Sequence, residues 1–151
     1  MSKSYPSMSI NIDSRFENVR LVSNCIAAVC EQIFDETTVS EMKLAFVEAV
    51  NNCIEHAYEF KAGGDITINV ALSETSLSID IEDRGITMPA GTLDAAPDEI
   101  KPDINDFDSL PEGGMGITIL KTVMDKVTYT SEDGRNLLHL VKAHDKERCL
   151  A

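Results

Sequence analysis

Residues 65–85 read DITINVALSETSLSIDIEDRG, and this stretch decides the fold. From Asp65 to Leu72, the apolar Ile66, Ile68 and Val70 alternate with polar neighbours. A period of two sends one set of side chains to one face of a sheet, which predicts a half-buried strand. Ser73-Glu74-Thr75-Ser76 is made of turn residues, and 77–83 alternates again as LSIDIED. So short a connection joins only antiparallel neighbours, because a parallel pair needs a crossover. The returning strand ends on Asp83-Arg84-Gly85.

Upstream of the hairpin, residues 9–13 alternate as a short strand. Ser14-Arg15-Phe16-Glu17 has capping-box spacing. Phe16, Val19, Val22, Ile26, Val29 and Ile33 then recur every three or four residues, predicting an amphipathic helix to about Phe34. Thr38-Val39-Ser40-Glu41 is a second capping box, and it opens a longer helix through Met42, Leu44, Val47, Ile54 and Ala57 to about Phe60. Gly63-Gly64 ends it. Downstream, a helix from near Gly114 to Met124 precedes two strands, 126–131 and 136–142. Glu132-Asp133-Gly134-Arg135 joins these, with the Asp-Gly pair of a tight hairpin.

Between the two halves lie residues 86–112. They hold four of the five prolines and seven acids (Asp94, Asp98, Glu99, Asp103, Asp106, Asp108, Glu112) against one base, Lys101. A structureless stretch of this length within a domain is expected to be functional or disordered. The order strand–helix–helix–strand–strand–lid–helix–strand–strand predicts an α+β fold. It is a two-layer sandwich: a mostly antiparallel mixed sheet with helices on one face and a long lid. A length of 151 residues suits one domain, 1–151, with the lid at about 86–112.

Composition narrows the function. With 26 acids against 13 bases the net charge is −13, so half of it, less one half-unit, sits in the lid stretch. Such a chain lacks the clustered cations that phosphate backbones and anionic lipid require, so neither nucleic acid nor a membrane is expected as a direct partner. No run of about 18 apolar residues predicts a membrane span, and the first eight residues lack an apolar signal core. Cys25, Cys30, Cys53 and Cys149 form no CxxC pair. They read as buried, reduced thiols, which favours a cytoplasmic protein. His56, His139 and His144 lack metal-ligand spacing.

Three constellations could carry chemistry. On the second long helix Glu48, Asn52 and His56 are spaced by four and share a face. A carboxylate there can take a proton from a hydroxyl, and an amide oxygen is a hard ligand suited to Mg²⁺; a solvated polar face gives the same pattern. Asp83 at a strand end can accept a hydrogen bond from an exocyclic amine, with Gly85 admitting a planar base to the backbone; a plain turn also reads Asp-x-Gly. Glu112-Gly113-Gly114-Met115-Gly116-Ile117 leads into a helix, where exposed N–H groups form an anion nest; a loop hinge reads the same way.

Taken together, EAVNNCIEHAY, DRG and EGGMGITILKTVMD resemble the N, G1 and G2 boxes of the GHKL (Bergerat-fold) ATPases. Within that superfamily they are similar to the anti-sigma factor serine/threonine kinases. The resemblance spans nearly the whole chain. It implies that Asn52 ligates Mg²⁺ bridging the ATP phosphates, and that Glu48 is the general base for the attacking hydroxyl. It further implies that Asp83 binds the adenine amine with Gly85 beneath the ring, and that Gly114 and Gly116 line the phosphates with Gly113 as the lid hinge. Three departures stand out: Thr87 occupies the place of the second glycine of Asp-x-Gly-x-Gly, the run Glu-Gly-Gly-Met-Gly lacks a preceding arginine, and Arg135 follows Gly134 where a threonine near the adenine aspartate is usual.

The function implied is an ATP-dependent serine/threonine protein kinase and anti-sigma-type regulator. Its substrate would be an anti-anti-sigma protein of the STAS type, which competes with a sigma factor for the kinase, and the kinase itself would be a homodimer. The alternative is a non-catalytic nucleotide-gated binding module or an ATPase of the same fold. A sensor histidine kinase is disfavoured, because the first 35 residues cannot hold a two-helix acceptor domain. Arg84 and Lys121 are further candidates for phosphate or partner contact, against the plainer reading of exposed bases.

Overall fold

The computed structural model describes residues 5–98 and 115–144. Five strands form one sheet: β1 (Ser7–Asp13), β2 (Asp65–Leu72), β3 (Ser76–Asp83), β4 (Lys126–Glu132) and β5 (Arg135–Ala143). Their spatial order is β1-β2-β3-β5-β4. All four pairings are antiparallel. The helices are α1 (Phe16–Cys30), α2 (Glu36–Asn52), the single turn α3 (Thr92–Ala95) and α4 (Met115–Val123). The expected α+β architecture is therefore present. Residues 99–112 of the expected lid lie outside the described residues, and so does Cys149.

The alternation read from the sequence is the alternation of burial. Ile66, Ile68, Val70, Leu77, Ile79, Ile81, Leu138 and Leu140 are all buried, and they meet Val22, Ile26, Met42, Phe46, Val50, Ile54 and Leu120 of the helices in one core. Thr67, Asn69, Ser78, Asp80, Glu82 and His139 occupy the intervening positions and remain partly or fully exposed, so the helices cover one face only. Across the open face His139 pairs with Asp80. The β4–β5 turn has Asp133 and Gly134 both at positive φ (52° and 75°), the backbone of a two-residue hairpin.

The helix ends depart from the sequence reading. Ser14 does not cap α1: its hydroxyl donates to the Lys61 carbonyl at 2.5 Å and accepts the Gly64 N–H at 2.9 Å, tying the loop before β2 to the loop after β1. The N-cap is Arg15, with no side-chain cap, and the Asn18 side-chain amide reaches back to the Asp13 carbonyl and carboxylate. α2 begins earlier than the second capping box, because Asp35 accepts the Thr38 N–H at 2.8 Å. α1 stops at Cys30 rather than Phe34. Leu44, expected in the core stripe, is about half exposed (49%), and Ala45, Phe46 and Ala49 are buried in its stead. Cys25 is exposed, against the expectation of buried thiols, while burial pushes the Cys30 thiol up to about 11. No helix among the described residues is long and apolar enough to cross a membrane.

The decisive local feature lies at the end of α2. After Asn52 the backbone widens into one π turn, Cys53–Ala57. Such a turn closes on the fifth residue rather than the fourth. Ala57, not His56, therefore completes the turn begun at Asn52. Ala57 is buried and His56 is exposed. The expected face shared by Glu48, Asn52 and His56 thus ends at Asn52.

Candidate active site

α2 holds Glu48 and Asn52 one turn apart, both half-buried. The first turn of α4 lies directly against them. A Cβ on Gly116 would sit 3.1 Å from Glu48 Oε2 and 3.2 Å from Asn52 Nδ2. A side chain at 116 would press both groups aside by a few tenths of an ångström. Among the described residues neither Glu48 nor Asn52 has a hydrogen-bond or ion-pair partner for its side chain. Burial raises the Glu48 carboxyl above its ordinary value, and the Glu55 carboxylate adds to the effect. A carboxylate so shifted is a better proton acceptor than a free one. Two hard oxygen donors beside a helix start form a set that suits Mg²⁺ and phosphate. Gly113 and Gly114, expected to complete the nest, lie outside the described residues.

The second part of the site is built where the π turn meets the end of β3. Asp83 is buried at 6% exposure. Its Oδ1 accepts Asn136 Nδ2 at 2.8 Å and the Gly85 N–H at 3.0 Å. Cys53, the first residue of the π turn, lies beside the same carboxylate, and burial first, then that charge, hold its thiol well above the usual range. Ala57, the last residue of the turn, accepts the Ile86 N–H at 2.8 Å. The π turn therefore docks α2 onto the β3 end. The fold so brings Glu48 and Asn52, Asp83, and Gly116 to one end of the sandwich.

Gly85 has a requirement the sequence does not reveal. A Cβ there would lie 2.6 Å from the Ala57 carbonyl carbon and closer still to its oxygen. The glycine is demanded by backbone packing against the π turn. Tyr58, next in the chain, donates to the Asp65 carbonyl at 2.6 Å and accepts the Arg84 N–H at 2.9 Å, so it braces the first residue of β2 against the residue following β3.

Two departures from the family pattern acquire structural meaning. Thr87 Oγ1 lies 3.0 Å from Asn136 Oδ1 and 3.1 Å from Ser131 Oγ. Arg135 turns outward and makes a two-pronged pair with Glu82, at 2.7 and 2.9 Å. The residue that reaches Asp83 is the next one, Asn136, which sequence reasoning missed. Its signal was present in the alternation: Asn136 is in phase with Leu138 and Leu140 on the buried face. Lys121 is engaged as well, donating to the Leu93 and Ala96 carbonyls at 2.8 Å and pairing with Asp98 at 3.0 Å. Its position in this structure is that of a strap on the segment around α3.

Comparison with known proteins now decides the family. The model of the histidine kinase-like ATPase domain matches residues 12–142. The chain belongs to that family. It is 30% identical over 141 residues to the serine-protein kinase RsbW of Bacillus mycoides, covering 91% of this chain and 86% of that one. It is 31% identical over 138 residues to the anti-sigma F factor of Clostridium beijerinckii, covering 89% and 92%. Among solved structures, the RsbU and RsbW domains of a Mycobacterium tuberculosis protein share the fold with a TM-score of 0.61 at 16% identity, over 91% of this chain and 32% of that longer one. The mycobacterial sensor histidine kinase MprB shares it at a TM-score of 0.53 and 15% identity, over 90% and 99%. The resemblance drawn from the three sequence boxes is borne out, and an ATPase domain of this family binds ATP.

Proposed function

We propose that this chain is an ATP-dependent serine/threonine protein kinase of the anti-sigma type. Its substrate is a STAS-type anti-anti-sigma protein, which competes with a sigma factor for the kinase in a partner-switching circuit. The observation that carries the reading is the pair Glu48 and Asn52, one helical turn apart and lying against Gly116. The names of the relatives, serine-protein kinase and anti-sigma F factor, point the same way.

Phosphoryl transfer asks a protein mainly for positioning and charge neutralisation. Asn52 offers its amide oxygen to Mg²⁺, which when bound neutralises charge across the phosphates. The Gly116 backbone leaves room for those phosphates beside α2, with Gly113 and Gly114 assigned to the same cradle. Glu48 accepts the proton of the incoming serine hydroxyl, and its raised pKa suits that task. Asp83 accepts a hydrogen bond from the adenine amine, and Gly85 keeps the adjoining backbone low. The lid, with seven acids to one base over residues 86–112, repels a triphosphate and leaves neutralisation to the metal and the N–H groups. We assign a homodimer to the edge formed by β1 and α1, since β1 ends the sheet and its outer backbone groups are open to pairing.

The direct test incubates the protein and labelled ATP with STAS proteins from the same genome. Label on a partner serine or threonine is the expected result. Nucleotide binding with no label on any of them would overturn the kinase and favour a nucleotide-gated binding module. Sedimentation of the protein at micromolar concentration checks the dimer, and a monomer there would remove it.

A further inference from the structure

The Asn136 side chain is 1% exposed, and its amide is saturated. Nδ2 carries two protons and spends them on Asp83 Oδ1 at 2.8 Å and the Gly85 carbonyl at 3.0 Å. Oδ1 has two lone pairs and accepts from Ser131 Oγ at 2.8 Å and Thr87 Oγ1 at 3.0 Å. An amide has no further capacity. The two hydroxyls both lie within hydrogen-bond reach of Asn136 Oδ1 and also of each other, at 3.1 Å. A flipped amide would set its oxygen against a carboxylate and a carbonyl, neither of which can donate. The network therefore fixes one orientation.

We infer that Asn136, held by Thr87 and Ser131, is the positioning and specificity-determining residue of the base site. By donating to Oδ1 it presents Asp83 as a hydrogen-bond acceptor, so that the carboxylate takes a 6-amino purine and refuses a 6-oxo purine. The inference rests on the assignment of Asp83 to the base. It gives the Thr87 departure a purpose, since the hydroxyl at the place of a glycine is one of the two groups that aim the amide. The same bond ties the chain leading into the 86–112 segment to the β4–β5 hairpin.

The chemistry suggests a variant whose behaviour a merely structural role would not produce. Asn136→Asp puts a second carboxylate against Asp83, and two carboxylates at hydrogen-bond distance cannot both stay ionised. At neutral pH the pair repels; after one proton is taken up, a neutral acid again donates to Asp83. Affinity for ADP and GDP is measured by calorimetry between pH 5 and 8 for the wild type, Asn136→Asp and Asn136→Leu, with thermal melts to confirm folding. The wild type is expected to prefer ADP with little pH dependence. Asn136→Asp is expected to lose about tenfold to a hundredfold in ADP affinity at pH 8 and to recover much of it at pH 5. Asn136→Leu is expected to lose preference for ADP over GDP at every pH. A folded Asn136→Asp variant with the pH profile of the wild type would overturn the inference, as would unchanged selectivity in folded Asn136→Leu. A wild type that binds neither nucleotide would instead overturn the reading of the site itself, so the two failures are distinct.

Discussion

The two ends of the site are built in opposite ways. Around Asp83 the fold supplies partners: Oδ1 takes the buried Asn136 amide and the Gly85 N–H, and Asn136 Oδ1 in turn takes the exposed hydroxyls of Thr87 and Ser131. Around Glu48 and Asn52, two half-buried polar side chains stand beside Gly116 with no partner among the described residues. Neither has a fully buried, unpaired polar atom, so both remain open to an incoming group. The first end is braced by the fold, with Asp83 Oδ1 held and the carboxylate still able to accept. The second is left for a ligand. Substitutions at the closed end should therefore act on stability as well as binding, and those at the open end should remove activity while sparing the fold.

The sharpest test of the contrast is at Glu48. Glu48→Gln is expected to lower phosphate transfer to a STAS partner by about 10²- to 10⁴-fold, the usual weight of a general base. Mg-ATP affinity should stay close to that of the wild type. Single-turnover transfer and calorimetry on the same sample separate the two. Transfer at the wild-type rate would remove Glu48 from the base role.

Next comes Asn52. Asn52→Ala is expected to weaken Mg-ATP by about two orders of magnitude, with a thermal midpoint within about 2 °C of the wild type. The loss should shrink when nucleotide binding is measured without Mg²⁺, because only the metal contact is missing. An equal loss with and without Mg²⁺ would assign Asn52 to the nucleotide rather than to the metal.

Much of this arrangement is legible in the sequence, and the missed parts share a cause. The strands were readable because Ile66, Ile68, Val70 and their partners obey a period of two that burial reproduces. The spacing of Glu48 and Asn52 was readable because four residues make a helical turn. The π turn was not, since Cys53–Ala57 fits an ordinary helix equally well, and its contact with the β3 end is long-range. The capping boxes mislead because Ser14 meets the Lys61–Gly64 loop in space, and because Asp35, the residue just before α2, caps it by taking the Thr38 N–H. Asn136 is harder to read because the family pattern points to the residue after Gly134, while the alternation puts the next residue inward. Local pattern settles elements and faces; long-range polar contacts settle their ends.

Gly85 breaks the closed end from the other side. Gly85→Ala forces a methyl into the Ala57 carbonyl, and no flexible side chain stands there to yield. Overpacking against backbone costs roughly 1–3 kcal/mol. For a domain of this size that lowers the thermal midpoint by about 2–12 °C. A melt checks this directly. An unchanged midpoint would mean that the π turn gives way easily and does not brace Asp83. Gly116→Ala, at the open end, should leave the midpoint nearly unchanged while weakening nucleotide binding, since the added methyl meets side-chain atoms of Glu48 and Asn52 that can shift by a few tenths of an ångström.

The smallest effect is the most specific to the contrast. Burial, aided by Glu55, raises the Glu48 carboxyl above its ordinary value, so the folded chain holds that proton more tightly than the unfolded one does. Below the unfolded value both states are protonated and Glu48 costs nothing. As pH rises through the raised folded value, the ionised carboxylate is held in a partly desolvated place and stability is lost. Glu48→Gln removes that loss. Its thermal midpoint should therefore exceed the wild type's slightly at pH 8, and the difference should vanish near pH 4, in the ordinary carboxylate range. Wild-type transfer should fall on acidification through that same raised value, because only the ionised carboxylate accepts a proton. A midpoint difference independent of pH would show that the gain comes from packing. A variant less stable than the wild type at pH 8 would show that Glu48 supports the fold, and the division between a closed end and an open one would fail at the residue that defines it.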